Sequence, residues 1–354
     1  DSMGARGCRM VLSPDELFPA LKKAMKYSRT ERAIVEDYMD GNEYSIDALV
    51  SDGELTITGF ADRHIFYPPF FIEMGHTMPS KVCEKEKKEI FKVLLAGVKA
   101  LGLSHGAVKA DIKVTSKGPM IGEIAARLSG GYMSGWTYPY ASGLNVTKQA
   151  LLLALNEKPT ELLTKRKALE GVTNVYEVPC VRVSAERAWV SIPGIVQSVE
   201  NLSSARSVAG VKDVFSRLKK GDTVCFPQNN VEKAGNVITC LQSRQEAVQA
   251  CKTAIKKIFV RLVLHSPETE KFLKQPLKTL FPPSAYPDAA GLSLREARVK
   301  EEEDWNGLTI KETLEILPQL VRINVPEHDK NFLQALYRGG LQGAVYYCET
   351  MDNN

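Results

Sequence analysis

The chain has 354 residues, 44% hydrophobic and 25% charged, with 18 prolines spread along it; this argues against disorder, collagen and coiled coil, and predicts two or three domains with sizeable cores. Its 46 basic and 42 acidic residues leave a formal net charge of +4, too balanced for a nucleic-acid binder, and it carries no basic, aromatic-laced stripe. No stretch approaches the ~18 apolar residues of a membrane span, Asp1 to Arg9 show no signal-peptide pattern, and seven cysteines without a CxxC pair suit a cytoplasmic protein with reduced thiols.

In chain order, Asp1 to Cys8 is a glycine-rich loop with no strand before it. That opening predicts a sequence lacking the start of its first domain. Arg9 to Leu12 reads as a strand. Ser13 is a candidate N-cap, Pro14 suits the first helical position, and Glu16 would complete a capping box for a helix through Leu17, Leu21 and Met25. Ala33 to Met39 is a second strand-like run. Glu43 to Val50 alternates with the two-residue period of a half-buried strand, Asp52-Gly53 is a hairpin signal, and Leu55 to Ala61 is the returning strand. After Pro68-Pro69 comes a short apolar run, Phe70 to Met74. Lys81 to Leu101 reads as an amphipathic helix presenting Ile90, Phe91, Leu94, Val98 and Leu101, closed by Gly102.

Two strands follow, Gly106 to Val114 and Met120 to Ile124, then a loop at Gly130-Gly131 and a helix over Asn145 to Leu155. From about Thr164 the pattern changes to short strands and turns: Tyr176 to Val183, Ala188 to Ile192, Val224 to Phe226 and Gly235 to Thr239. Ser243 caps a helix to Lys257, and Phe259 to Val263 ends that unit. Beyond Pro267 the chain is helix-rich.

The chemistry concentrates on the two strands flanking Ser116 to Pro119. Asp111 on the first and Glu123 on the second would face one side of a hairpin, a strand spacing apart. Such a pair, unpaired by a basic neighbour, suits Mg²⁺, which takes one or two carboxylates plus phosphate oxygens. Arg127, four residues on, could brace a transferring phosphoryl group. The alternative is a surface hairpin with ordinary charges. Gly4 to Gly7 could cradle phosphates through backbone amides, with Arg6 adding charge, or could be a plain turn. The segment Val35 to Glu43 can offer backbone groups to an adenine edge and a carboxylate, Glu43, to ribose hydroxyls.

Five motifs in order then carry a resemblance: Val35-Glu-x-Tyr-Met-x-Gly-x-Glu43, Phe71-Ile-Glu-Met-Gly-His-Thr-Met-Pro79, Leu101-Gly-Leu-x-His-Gly-Ala107, Gly118-Pro-x-Ile-x-Glu-Ile-Ala-Ala-Arg127 and Leu128-Ser-Gly-Gly131. Over some 150 residues the chain resembles the ATP-grasp superfamily, in particular the L-amino-acid ligase branch of its carboxylate–amine ligases. The resemblance implies an α+β chain: an ATP-grasp domain over 1–165 that lacks its first segment, a small β-rich C-terminal lobe over 166–265, and a helical extension over 266–354. It implies ATP and Mg²⁺ (or Mn²⁺) as cofactors. Gly4, Ala5, Arg6 and Gly7 would close over the phosphates, Glu36 and Met39 would line the adenine pocket, and Glu43 would hold ribose. Asp111 and Glu123 would bind metal, and Arg127 would contact the phosphate or acyl phosphate. Glu73, His76 and Gly130 fall where substrate is recognised; apart from the resemblance, His76 reads as a structural loop histidine.

The implied reaction is attack of a substrate carboxylate on ATP, then of an amine on the resulting acyl phosphate, with amino acids as the expected substrates. Either the chain is a fragment of a longer enzyme or a separate chain supplies the front segment; a homodimer is the other expected partner, and the chain alone is expected to have little or no ligase activity. Four departures from the family pattern stand out. The lysines that normally precede the glycine loop, and the α/β domain that usually supplies part of the substrate pocket, would both lie before residue 1. Asp111 stands where glutamate is usual, and Ala125 where many relatives have asparagine. The first two weigh more than the last two. Ligases acting on phosphoribosylamine or carbamate share the core, but Leu128-Ser-Gly-Gly131 lacks the first group's Phe-Gly-Asp-Pro-Glu run, and no Asn-Pro precedes Arg127 as in the second. The competing reading is a degenerate grasp module that binds nucleotide or a partner without turnover.

Overall fold

Asp52-Gly53 closes the expected hairpin: β1 (Asn42–Ser51) and β2 (Glu54–Phe66) pair antiparallel around it. Both turn residues have positive φ, 52° and 76°, as a tight two-residue turn requires. The protein is described by a computed structural model over residues 2–321, 325, 326 and 328–352, so Asp1, at the head of the glycine-rich loop, lies outside it. Downstream come β3 (Ile72–Met78), β4 (Gly106–Thr115), β5 (Gly118–Ala125), β6 (Lys167–Ala168), β7 (Val175–Glu177), β8 (Val183–Trp189), β9 (Gly194–Glu200), β10 (Val211–Ser216), β11 (Thr223–Val224), β12 (Gly235–Leu241) and β13 (Phe259–Leu262).

The main sheet runs β10-β12-β8-β3-β2-β1-β4-β5, antiparallel at each step. β7 lies parallel to β2 and pairs with β6, while β11, β9 and β13 form a separate sheet. Strands β8, β10 and β12, from the segment expected as the small lobe, therefore continue the sheet built by the first 125 residues. One sheet face packs on helix α2 (Glu84–Ala100), whose Ile90, Phe91, Leu94 and Val98 are buried against Tyr44, Ile46, Ala48, Val108, Ala110 and Ile112. At about 2 kcal/mol for each large apolar side chain, this layer is the main anchor of the hairpins. The opposite face is apolar only towards one end, where Leu49, Ala61 and Met78 meet Met133, Tyr138 and Leu144.

Several local expectations are corrected. Arg9–Leu12 and Ala33–Met39 are not strands: neither finds a neighbouring strand, and Ile34, Val35 and Tyr38 stay exposed. Ser13 does sit at the N-cap of α1 (Pro14–Met25), but its hydroxyl caps nothing; Glu16 reaches past it to accept the Leu12 N–H at 3.1 Å. Helix α2 starts at Glu84 rather than Lys81, and Leu101 faces solvent instead of the core. By contrast, Ser243 forms a full capping box with Glu246 for the helix Arg244–Lys257.

The C-terminal extension is helical as expected, with segments at Pro267–Leu273, Ile310–Leu320 and Lys330–Asp352. It clasps the end of β8. The Asn306 side chain accepts the Val190 N–H and donates to the Val190 carbonyl, both at 3.0 Å, which imitates a strand partner. Gln342 accepts the Ile192 N–H at 3.1 Å and donates to the Ser191 hydroxyl at 2.9 Å and the Val260 carbonyl at 2.8 Å.

Candidate active site

Strand alternation sends Glu43, Ser45 and Asp47 of β1 and Lys109, Asp111 and Lys113 of β4 to the face opposite α2, because their neighbours Tyr44, Ile46, Ala48, Val108, Ala110 and Ile112 occupy the apolar face. Three β-bulges bring further charges onto this same face. In β2 the pairing slips between Asp47 and Ala48, so that Ile57 and Phe60 both face α2 and Arg63 lands opposite Glu43. In β5 a slip at Asp111/Ile112 puts Glu123 opposite Asp111 while Ile121 and Ile124 both pack towards α2. In β3 a slip at His64/Ile65 lets Glu73 and His76, three residues apart, share one side. Each extra residue re-aims one side chain, a recurrent use of bulges near functional sites.

Arg63 is the hub of this row. Its guanidinium bonds Glu43, meets Glu73 at 2.8 Å, and meets Asp111 at 3.0 Å. Burial works against its charge, but the carboxylates of Glu73, Asp111 and Glu43 outweigh that and hold it protonated. Lys113 supports Glu43 from the other side at 3.7 Å and donates to the Met39 carbonyl at 3.0 Å; it also lies over the Tyr38 ring. This ties the Glu36 to Asp40 linker to the sheet, with Glu36 itself exposed.

Asp111 and Glu123 face each other in register, as expected, but they are not free of basic neighbours. Lys109 precedes Asp111 by two residues and so leaves the same face; its ammonium bonds Asp111 and reaches Glu123 at 3.3 Å. Arg127, half exposed, lies 3.4 Å from Glu123 and donates to its neighbour's carbonyl, that of Leu128, at 3.1 Å. Among the described residues no group of three or more His, Cys, Asp or Glu is placed to hold a metal ion. The pair still suits Mg²⁺, which needs only one or two carboxylates where phosphate oxygens and water complete its shell. The buried Asp111 Oδ1 has no hydrogen-bond partner and is free to accept one.

Glu73 and His76 sit further along the row. Burial alone would raise the Glu73 carboxyl, yet His76, Arg63 and Lys233 together hold it well below the usual carboxylate range. His76 is buried between two acids, its Nδ1 3.0 Å from Glu186 and its Nε2 3.7 Å from Glu73. Glu186 in turn takes a bond from Asn236. Gly131 approaches so closely that an added Cβ would lie 3.3 Å from Glu73 Oε1, whereas Gly130 faces open space. Asp47 pins this loop: it accepts the Ser129 N–H at 3.1 Å and bonds the hydroxyls of Ser129 and Ser134. Burial pushes Asp47 up to about 6 in spite of those bonds.

The glycine loop reaches the site through Asn230. The Asn230 N–H donates to the Gly4 carbonyl at 2.8 Å, and its side chain accepts the Glu73 N–H at 2.8 Å. Gly4, Ala5 and Gly7 all have positive φ, and Gly7 lies so tightly on α1 that a Cβ would approach Ala24 to 2.8 Å. The structure thus gathers Glu43, Glu73, His76, Asp111 and Glu123 on one face, with Arg127 and Gly130 at its rim and Gly4–Gly7 joined to it by Asn230. Glu36 contributes no contact to this row. Sequence reasoning missed Arg63, Lys109, Lys113, Glu186 and Lys233. Lys109 and Lys113 were legible, since both share the parity of Asp111; Arg63 was hidden by the bulge.

Residues 16–135 match the family model of the ATP-grasp domain, and residues 188–263 match that of L-amino acid ligase C-terminal domain 2. Carnosine synthase 1 of Gallus gallus is 28% identical over 126 residues, which are 36% of this chain and 13% of that protein. The uncharacterized protein y4rH of Sinorhizobium fredii is 21% identical over 260 residues, covering 72% of this chain and half of the relative. The L-amino acid ligase of Bacillus licheniformis superposes with a TM-score of 0.61 at 20% identity, over 72% of this chain and 62% of that one. The chain therefore spans only part of these relatives, and the likeness establishes the ATP-grasp fold.

Proposed function

We propose that this chain, which has the ATP-grasp fold and resembles the L-amino-acid ligases, is part of an ATP-dependent ligase that joins a carboxylate to an amine through an acyl phosphate. The observation that carries the reading is the in-register placement of Asp111 and Glu123 on the charged face, with an acceptor oxygen of Asp111 left open. Amino acids are the substrate class, supported by the match to an L-amino acid ligase domain and the similarity to carnosine synthase. Asp111 and Glu123 would hold Mg²⁺ or Mn²⁺, which supplies charge neutralisation to the nucleotide phosphates.

The chain's own groups take the remaining roles. Glu43, steadied by Arg63 and Lys113, would accept from ribose hydroxyls, and the linker at Glu36 to Met39 would border the adenine. Gly4, Ala5, Arg6 and Gly7 would cover the phosphates, and Arg127 would contact the phosphoryl group in transfer. Glu73 stays ionised beside His76, so the two can orient a substrate ammonium near Gly130. Closure of the glycine loop would exclude water, which would otherwise hydrolyse an acyl phosphate. Nucleotide binding is the step tested first.

Isothermal titration with ADP, with and without Mg²⁺, tests the reading on the wild type and on Asp111→Ala and Glu123→Ala. The ligase reading expects Mg²⁺ to tighten binding in the wild type and to have little effect in either variant. Tightening by Mg²⁺ that survives both substitutions would overturn the assignment. The Lys109 contact to both acids favours a second reading, a nucleotide-binding module without turnover. Amino-acid-dependent ADP release from the protein would decide against that reading.

A further inference from the structure

Lys109 places a positive charge between the two acids of the site. Its ammonium bonds Asp111 Oδ2 and reaches Glu123 Oε1 at 3.3 Å, and Arg63 adds a second cation to Asp111 Oδ2 at 3.0 Å. Lys109 is buried, so solvent screens its charge weakly. Asp111 Oδ1, beside this contact, is buried and unpartnered. The carboxylate pair is thus neutralised by a tethered cation while one acceptor stays open.

A divalent cation arriving alone would meet Lys109 and Arg63 at close range and would have to displace the ammonium to gain both carboxylates. A polyphosphate changes that balance, because it offers the ammonium new anionic partners and offers the metal further oxygen ligands. We propose that Lys109 is a positioning residue that closes the Asp111–Glu123 pair to free divalent cations and yields it when a nucleoside polyphosphate binds, so that the metal enters with the nucleotide. The inference rests on the ligase reading of Asp111 and Glu123 as the metal-holding pair.

The test uses the full chain and Mn²⁺ followed by electron paramagnetic resonance, first without nucleotide and then with saturating ADP. Without nucleotide, Lys109→Met and Lys109→Gln should bind Mn²⁺ about tenfold more tightly than the wild type, as removal of a nearby like charge predicts. Lys109→Arg, which keeps the charge, should bind as weakly as the wild type. With ADP the advantage of the neutral variants should shrink or reverse. Mn²⁺ affinities of Lys109→Met and Lys109→Gln within twofold of the wild type would overturn the proposal. Asp111→Asn separates the two levels of failure. If it abolishes ADP-dependent Mn²⁺ binding while the Lys109 variants change nothing, only this inference falls. If it leaves that binding intact, the metal assignment falls as well.

Discussion

Three strands contribute carboxylates to one guanidinium: Arg63 meets Glu43 of β1, Glu73 of β3 and Asp111 of β4. Each acid alone would be costly in so enclosed a place, and the cation makes their common face tenable. Substituting Arg63 by Met would keep the bulk of the side chain but leave three carboxylates facing one another, and Lys113, Lys233 and Lys109 could compensate only in part. Breaking such a network from one side costs about 3–5 kcal/mol. Arg63→Met is therefore expected to lower the urea unfolding free energy by that order at pH 7. A loss under about 1 kcal/mol, the scale of an exposed ion pair, would show that the acids are solvated rather than held by Arg63.

At the scale of elements, the site depends on where strands depart from regular pairing. Gly41 immediately precedes β1 with φ +85°, and an added Cβ would lie 1.9 Å from the Val114 carbonyl oxygen. Gly41→Ala should push the chain off β4, breaking the Asn42–Val114 pairing and the contact between Lys113 and the Met39 carbonyl. The expected outcome is a loss of about 1–3 kcal/mol in unfolding free energy, with weaker ADP binding in the same protein by titration. Unchanged stability and affinity would mean that the linker can shift without cost. The same reasoning explains what the sequence did and did not disclose. The hairpin at Asp52-Gly53 and the helix after Cys83 follow from turn chemistry and apolar periodicity. The facing of Asp111 and Glu123 matches the expectation only through the slip in β5, since regular counting from the Ser116-Lys117 turn sets Gly122 opposite Asp111. Counting back from the Asp52-Gly53 turn likewise sets Glu43 opposite Asp62, and only the extra residue in β2 replaces that partner with Arg63. The slip falls at Thr58-Gly59, and its mark in the sequence is slight: one glycine inside a strand, with Ile57 and Phe60 three residues apart instead of two. Lys109 shows a different gap: its parity was readable, but its reach to both acids depends on rotamers that alternation does not set.

For the molecule as a whole, the extension beyond residue 266 is part of the folded body and not an appendage. Asn306 and Gln342 complete the end of β8, and Trp305 packs on Phe226 and Phe272. The loop that makes this clasp is shaped by Asp304, whose Oδ1 accepts the N–H groups of Asn306 and Leu308, both at 2.9 Å. Burial pushes Asp304 up to about 6 from an ordinary 3.8. A raised folded value means that the native chain holds the proton more tightly than the unfolded chain, so this group favours folding most below pH 4 and loses that advantage as pH rises through about 6. Asp47 acts in the same direction, being likewise pushed up to about 6. Glu73, held low, contributes oppositely: its stabilisation is present above its ordinary value of 4.5 and is lost on acidification. Between about pH 5 and pH 7 the two aspartates therefore set the slope, and stability should fall as pH rises. Asp304→Asn keeps the Oδ1 acceptor for both N–H groups and removes the ionisation. Its urea unfolding free energy should match the wild type near pH 4 and exceed it by about 2–3 kcal/mol at pH 8, the equivalent of a two-unit displacement. An unchanged pH slope in the variant would place the Asp304 carboxyl in contact with water and detach the clasp from the pH response.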